Sequence, residues 1–172
     1  MLKNLASLSL IAGLMLTPGA QAQTSIDDSI NQLSGTYQAE ARYTLSENDV
    51  KSFVYQWFAA FDHQREPGYF LNRIAQPVDL NYPGTPIDSQ AGFLKWYKGV
   101  TDNIVWNGHT IDGIKVSGNQ AKGWDVAYVV NWKATAKDGT RYDMMVEQQL
   151  HIIRVGDMLK IARLSATVQP EK

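Results

Sequence analysis

The chain reads as an α+β domain in which N-terminal helices pack on a long, mainly antiparallel sheet. Two observations predict this. Apolar residues recur at helical spacing in two stretches before Asn103, and after Ile104 four long runs rich in Val, Ile, Tyr, Trp and Met follow, separated by Gly118-Asn119, Asp138-Gly139 and Gly156-Asp157. A sheet made of consecutive hairpins buries one face, and helices placed ahead of it in the chain are there to cover that face.

Taken in order, Met1-Leu2-Lys3-Asn4 carries one positive charge and an apolar stretch from Leu5 to Leu16 follows, too short for a stable bilayer span. Thr17-Pro18-Gly19 breaks it, and Ala20-Gln21-Ala22 has the small-x-small form a signal peptidase cuts, so residues 1–22 are expected to be a signal peptide cleaved after Ala22. A periplasmic or secreted location follows, with no stable membrane anchor after cleavage. Residues 23–44 are polar and lack a sustained period, as in a flexible lead, and the domain is expected over 45–172.

Ser46-Glu47-Asn48-Asp49 has the form of a capping box, with Leu45 and Val50 as its hydrophobic staple. Val50, Phe53, Val54, Trp57, Phe58 and Phe61 then mark one face of a helix ending near His63, which serves as its cap; Asp62 beside it is expected to be solvated. Pro67 can open a short helix through Arg73, and Gln76 to Tyr82 alternates as a brief strand that Pro83-Gly84-Thr85-Pro86 ends. Asp88 or Ser89 can cap a further helix carrying Phe93, Trp96, Tyr97 and Val100 to about Asp102.

Composition removes whole classes of function. With no cysteine in 172 residues there is no disulfide framework, no thiol catalysis and no thiolate metal site. The net charge is −1 and no basic run follows a phosphate backbone, so nucleic acid is not an expected partner. Neither a phosphate-binding glycine loop nor a Gly-x-Ser-x-Gly turn is present, and no cofactor is expected.

Tyr55-Gln56-Trp57-Phe58-Ala59-Ala60-Phe61-Asp62, the Pro83-Gly84-Thr85-Pro86-Ile87 link, Gly92-Phe93-x-x-Trp96-Tyr97 and the Asp138-Gly139 hairpin together resemble the nuclear-transport-factor-2-like, or SnoaL-like, superfamily from Leu45 to Val168. The resemblance implies a cone, in which helices close the wide mouth of a strongly curved sheet around an internal apolar pocket. Members of that superfamily include isomerases, dehydratases, hydrolases, cyclases and proteins that only bind or assemble, so the fold places the site without naming its chemistry.

Two-residue hairpins at the three turns would fix which side chains share a face. Asp138-Gly139 at a tip sets Trp132 opposite Met145, Val130 opposite Glu147, Tyr128 opposite Gln149 and Val126 opposite His151. Gly118-Asn119 sets His109 beside Tyr128, Asn107 beside Val130 and Val105 beside Trp132; Gly156-Asp157 sets Ala162 beside His151 and Leu164 beside Gln149. That face is mostly apolar with a polar island, and it is expected to line the cone. A β-bulge near Gly108 or Gly113 would take His109 and Asn107 off it.

The expected catalytic residues are Glu147, Tyr128 and His109: a carboxylate or imidazole in a dry pocket moves protons near neutral pH, and a phenol can donate to a developing oxyanion. Asn107, Gln149, His151, Trp132 and Trp57 are the expected ligand-binding wall. His109 and His151 stand on strands two apart, too far to share a metal, and no metal site is expected. The function expected is binding of a small apolar molecule in the cone, with isomerase- or dehydratase-type acid–base turnover; a non-catalytic dimerisation or protein-interaction module, with a homodimer through the outer sheet face, is the alternative.

Overall fold

The structure, a computed structural model, describes residues 44–170. The signal segment and nearly all of the 23–44 lead lie outside the described residues. Helix α1 (Glu47–Asp62) starts as the sequence predicts: the Ser46 hydroxyl accepts from the Asp49 N–H, and the Asp49 carboxylate accepts from the Ser46 N–H at 2.7 Å. Val50, Val54 and Trp57 on its inner face are completely buried, and Trp57 meets Phe61 and Phe70 edge-on. His63 caps the helix through its backbone N–H.

Pro67 opens α2 (Pro67–Leu71), shorter than the expected run to Arg73 because Arg73 and Ala75 exchange backbone hydrogen bonds with Ile161 instead. Strand β1 (Leu80–Tyr82) pairs with β2 (Thr85–Ile87) across a tight Pro83-Gly84 turn, Gly84 holding φ +70. The sequence reading took this link only as a strand end. Ser89 caps α3 (Gln90–Asn103), whose Phe93 and Tyr97 are buried.

The sheet continues with β3 (Ile104–Asn119), β4 (Gly123–Ala136), β5 (Arg141–Val155) and β6 (Met158–Val168). Its order is β2-β1-β6-β5-β4-β3, antiparallel throughout except where β1 runs parallel to β6. The result is a curled, unclosed sheet with helices over its inner face and the aromatic core between them.

The register differs from two-residue hairpins at two of the three turns. Lys137-Asp138-Gly139 is a three-residue loop: the Gly139 N–H reaches the Ala136 carbonyl at 3.0 Å, the Ala136 N–H reaches the Thr140 carbonyl at 2.8 Å, and Gly139 sits at φ +87. A turn followed by a left-handed glycine is the usual three-residue solution. Trp132 therefore faces Met144, Val130 faces Val146 and Tyr128 faces Gln148. One residue of slip turns all of β5 over, so Glu147, Gln149 and His151 lie on the outer face.

Strand β3 was displaced twice and came out with the expected face. Its turn to β4 lies at Gln120–Lys122, where the Asn119 side chain accepts from the Ala121 and Lys122 N–H groups, so Asn119 pairs with Gly123. A bulge at Gly113, φ +63, then shifts the strand by one more residue. The two offsets restore parity: His109 stands opposite Trp132 and Asn107 opposite Ala134, both inward. Val105 falls in a second irregularity and is exposed. Strand β6 leaves its Gly156-Asp157 turn as expected, but a bulge at Ala162 removes that residue from pairing and keeps Leu164, Ala166 and Val168 inside.

Candidate functional site

A cavity of about 280 Å³ lies between the helices and the inner sheet face. Its walls are chiefly Phe58 and Phe61 of α1, Trp96 and Val100 of α3, Tyr82 and Pro83 of the β1–β2 hairpin, and Val130, Trp132, Met144, Val146 and Val168 of the sheet. Beside the indole N–H groups of Trp96 and Trp132, the polar groups among the lining side chains are Thr85, Asn107, His109, Gln148 and the Tyr82 phenol; none is Lys, Arg, Asp or Glu. An apolar concavity with a few converging polar atoms is the ordinary form of a small-molecule site.

His109 is held by α1. Its Nδ1 donates to Asp62 Oδ1 at 2.5 Å, and its backbone N–H is 3.4 Å from Asp62 Oδ2. Asp62 lies one helical turn beyond Phe58 and so projects from the same face, against the expectation that it is solvated. Phe58 packs on the imidazole at 5.0 Å between centroids, and Phe61 approaches at 6.2 Å. With Nδ1 engaged by the carboxylate, the Nδ1 position carries a proton, and Nε2 has no hydrogen-bond partner among the described residues.

Asn107, two residues earlier on the same face of β3, donates its amide to the Phe61 carbonyl at 3.3 Å. That leaves its side-chain oxygen, on the strand face that also carries His109, as an acceptor. At the β4–β5 wall, the Tyr128 hydroxyl donates to Gln148 Oε1 at 2.9 Å, both residues being buried. Burial, with the Tyr82 phenol as a smaller contribution, holds the Tyr128 pKa well above its usual 10. Tyr82 stacks on Trp96 at 4.5 Å, with its ring at the cavity and its hydroxyl oxygen shut off from solvent. No partner meets that oxygen in hydrogen-bonding geometry; burial raises its pKa, and the Trp57 indole, lying outside that geometry, acts in the opposite direction as the smaller cause.

Of the eight residues expected from the sequence, Asn107, His109 and Trp132 line the cavity. Tyr128 stands behind the wall, with its hydroxyl committed to Gln148 and so not free to meet a substrate. Trp57 is completely buried in the helix–sheet core. Glu147 is exposed on the outer face; Gln149 and His151 border a groove there, His151 Nδ1 lying 2.8 Å from Asp125 Oδ1. The three-residue loop before β5 is the reason for all three displacements. Asp62, Gln148, Met144, Tyr82 and Thr85 are among the members that sequence reasoning missed. The alternation of β5 itself carried the signal, since Met144, Val146, Leu150 and Ile152 are its even positions, against Asp143, Glu147, Gln149 and His151.

No protein-family model matches the chain, and no curated protein matches it in sequence. Solved structures do match in shape. A Novosphingobium aromaticivorans protein assigned as an aromatic ring hydroxylase superposes with a TM-score of 0.66 at 16% identity, over 71% of this chain and 87% of that one. A protein from the same organism assigned as a scytalone dehydratase gives 0.61 at 14% identity, over 70% and 82%. Nuclear transport factor 2 from Cryptosporidium parvum gives 0.57 at 15% identity, over 69% and 90%. With its helices first, its curled six-stranded sheet and its internal cavity, this chain has the cone-shaped fold of the nuclear-transport-factor-2-like, SnoaL-like proteins.

Proposed function

We propose that this domain binds a small, uncharged, largely apolar molecule in its cone and moves a proton on it, with His109 as the base and Asp62 as the group that orients it. The observation that carries this reading is the 2.5 Å His109–Asp62 contact at the wall of a largely apolar cavity. A neutral imidazole whose Nδ1 proton is held by a carboxylate presents Nε2 as acceptor, and the carboxylate stabilises the imidazolium formed. Nε2 takes a proton from a carbon next to a carbonyl, and the electron pair left behind forms a carbon–carbon double bond as the carbonyl π pair moves onto oxygen. When the carbonyl re-forms, that enolate pair either shifts an adjacent carbon–carbon double bond, whose far carbon takes the proton back from the imidazolium in an isomerisation, or expels hydroxide from the neighbouring carbon, which takes the proton to give water. Asn107 Oδ1, on the same wall, suits a substrate hydroxyl next to that carbon. The similarity in shape to a protein assigned as a dehydratase is compatible with the second outcome.

Export with cleavage after Ala22 belongs to the same proposal; the intact mass of the protein recovered outside the cytoplasm tests it. Pairing of two copies through the outer sheet face is a second reading, carried by Trp106 and Met145, which are large, apolar and exposed there. A solution mass of one chain, unchanged in Trp106→Asp, would dismiss it.

Deuterium exchange into a neutral two-ring ketone, 1-tetralone, followed by NMR, tests the proton transfer. The protein should accelerate exchange at the carbon beside the carbonyl, and His109→Gln should remove about 10²- to 10⁴-fold of that acceleration. Asp62→Asn should lower it by a smaller factor. Acceleration that survives in His109→Gln would rule out the imidazole as base.

A further inference from the structure

Gln148 is 5% exposed, lies on the cavity wall and makes one hydrogen bond, through Oε1, with the Tyr128 hydroxyl. Its Nε2 has no partner among the described residues, and it is not enclosed on all sides by protein either. The amide therefore shows two N–H donors to the cavity. Reversing it would leave the buried Tyr128 proton without an acceptor, because the neighbouring Tyr82 oxygen is outside hydrogen-bonding geometry. Burial keeps Tyr128 protonated, so the hydroxyl remains a donor and the amide stays oriented.

We infer that Gln148 is a specificity-determining residue that selects substrates presenting a carbonyl-type oxygen, and that Tyr128 is the positioning residue that holds its amide in the donating orientation. This rests on the proton-transfer reading only in sharing its cavity. A buried donor left unpaired by a hydrocarbon costs more than a water-exposed one, which is how a polar site rejects a ligand of the right shape that lacks the matching atom. His109 and Tyr128 touch the same Phe58 ring, at 5.0 and 5.6 Å between centroids, so base and amide belong to one ligand-sized space. An oxygen bound at Gln148 would accept charge as the proton leaves at His109.

The test compares 1-tetralone with tetralin, a hydrocarbon of nearly the same shape, by calorimetric binding to the protein and to Gln148→Leu, Gln148→Glu and Tyr128→Phe. The ketone should bind at least about tenfold more tightly to the unaltered protein. That ratio should vanish in Gln148→Leu, invert in Gln148→Glu and shrink in Tyr128→Phe, with tetralin affinity little changed in the last. The tetralin value also reports whether each variant keeps its cavity. Equal binding of the two ligands, or a ratio that persists in both Gln148→Leu and Tyr128→Phe, would overturn the assignment while leaving His109 as base. Binding of neither compound would overturn both readings.

Discussion

Tyr82 and Tyr128 show how a single hydroxyl is judged by its surroundings. Tyr128 has an acceptor in Gln148, whereas the Tyr82 oxygen has none in hydrogen-bonding geometry. Since an unpaired buried hydroxyl is a cost, Tyr82→Phe, which keeps the ring stacked on Trp96, should leave stability unchanged or raise it by about 1 kcal/mol in denaturant melts. Both phenols have pKa values raised by burial, so the folded chain keeps their protons where the unfolded chain gives them up. The unfolded state then binds fewer protons, and stability that is fully present below about pH 10 falls as pH rises above it. Denaturation midpoints followed from pH 8 to about pH 11 should decline less steeply in Tyr128→Phe, by up to about 1.4 kcal/mol per pH unit. An identical slope in the two proteins would contradict the buried-phenol account.

At the scale of elements, one loop decides what the cavity contains. Deleting Arg141, the first residue of β5, while the three-residue loop keeps its form would advance β5 by one residue against β4, turning Val146, Gln148 and Leu150 outward and Glu147 and Gln149 inward. Burying those groups in place of apolar ones should cost several kcal/mol, and the variant should lose cooperative unfolding by circular dichroism. A milder change tests the start of α1. Ser46→Ala removes one member of the capping box and should cost about 1 kcal/mol in the same melts. Helix starts were legible in the sequence because a cap is a local event, decided by four consecutive residues. Strand register was not, because Asp138-Gly139 serves both a two-residue turn and the second and third positions of a longer one, and a bulge such as Gly113 has no signature beyond a glycine. His109 and Asn107 reached the cavity through two offsets that cancel, while Glu147 was misplaced by one that does not.

For the whole molecule, the order of helices and strands was sufficient to suggest the cone, and the cone fixes where a ligand can sit. Partnership between distant segments lay beyond sequence reasoning: Asp62 closes a helix and His109 lies 47 residues later, and only the packing of α1 across β3 makes them a pair. The cavity depends on one inner surface made by β3, β4, β5 and β6 together. Adjacent methionines report on it directly, since Met144 lines the cavity and Met145 is 40% exposed on the other side of the same strand. In a protein carrying ¹³C-labelled methionine methyl groups, titration with 1-tetralone should move the Met144 resonance and leave those of Met145 and Met158 in place. A shift of Met145 with Met144 unmoved would put the ligand on the outside of the sheet and contradict the account.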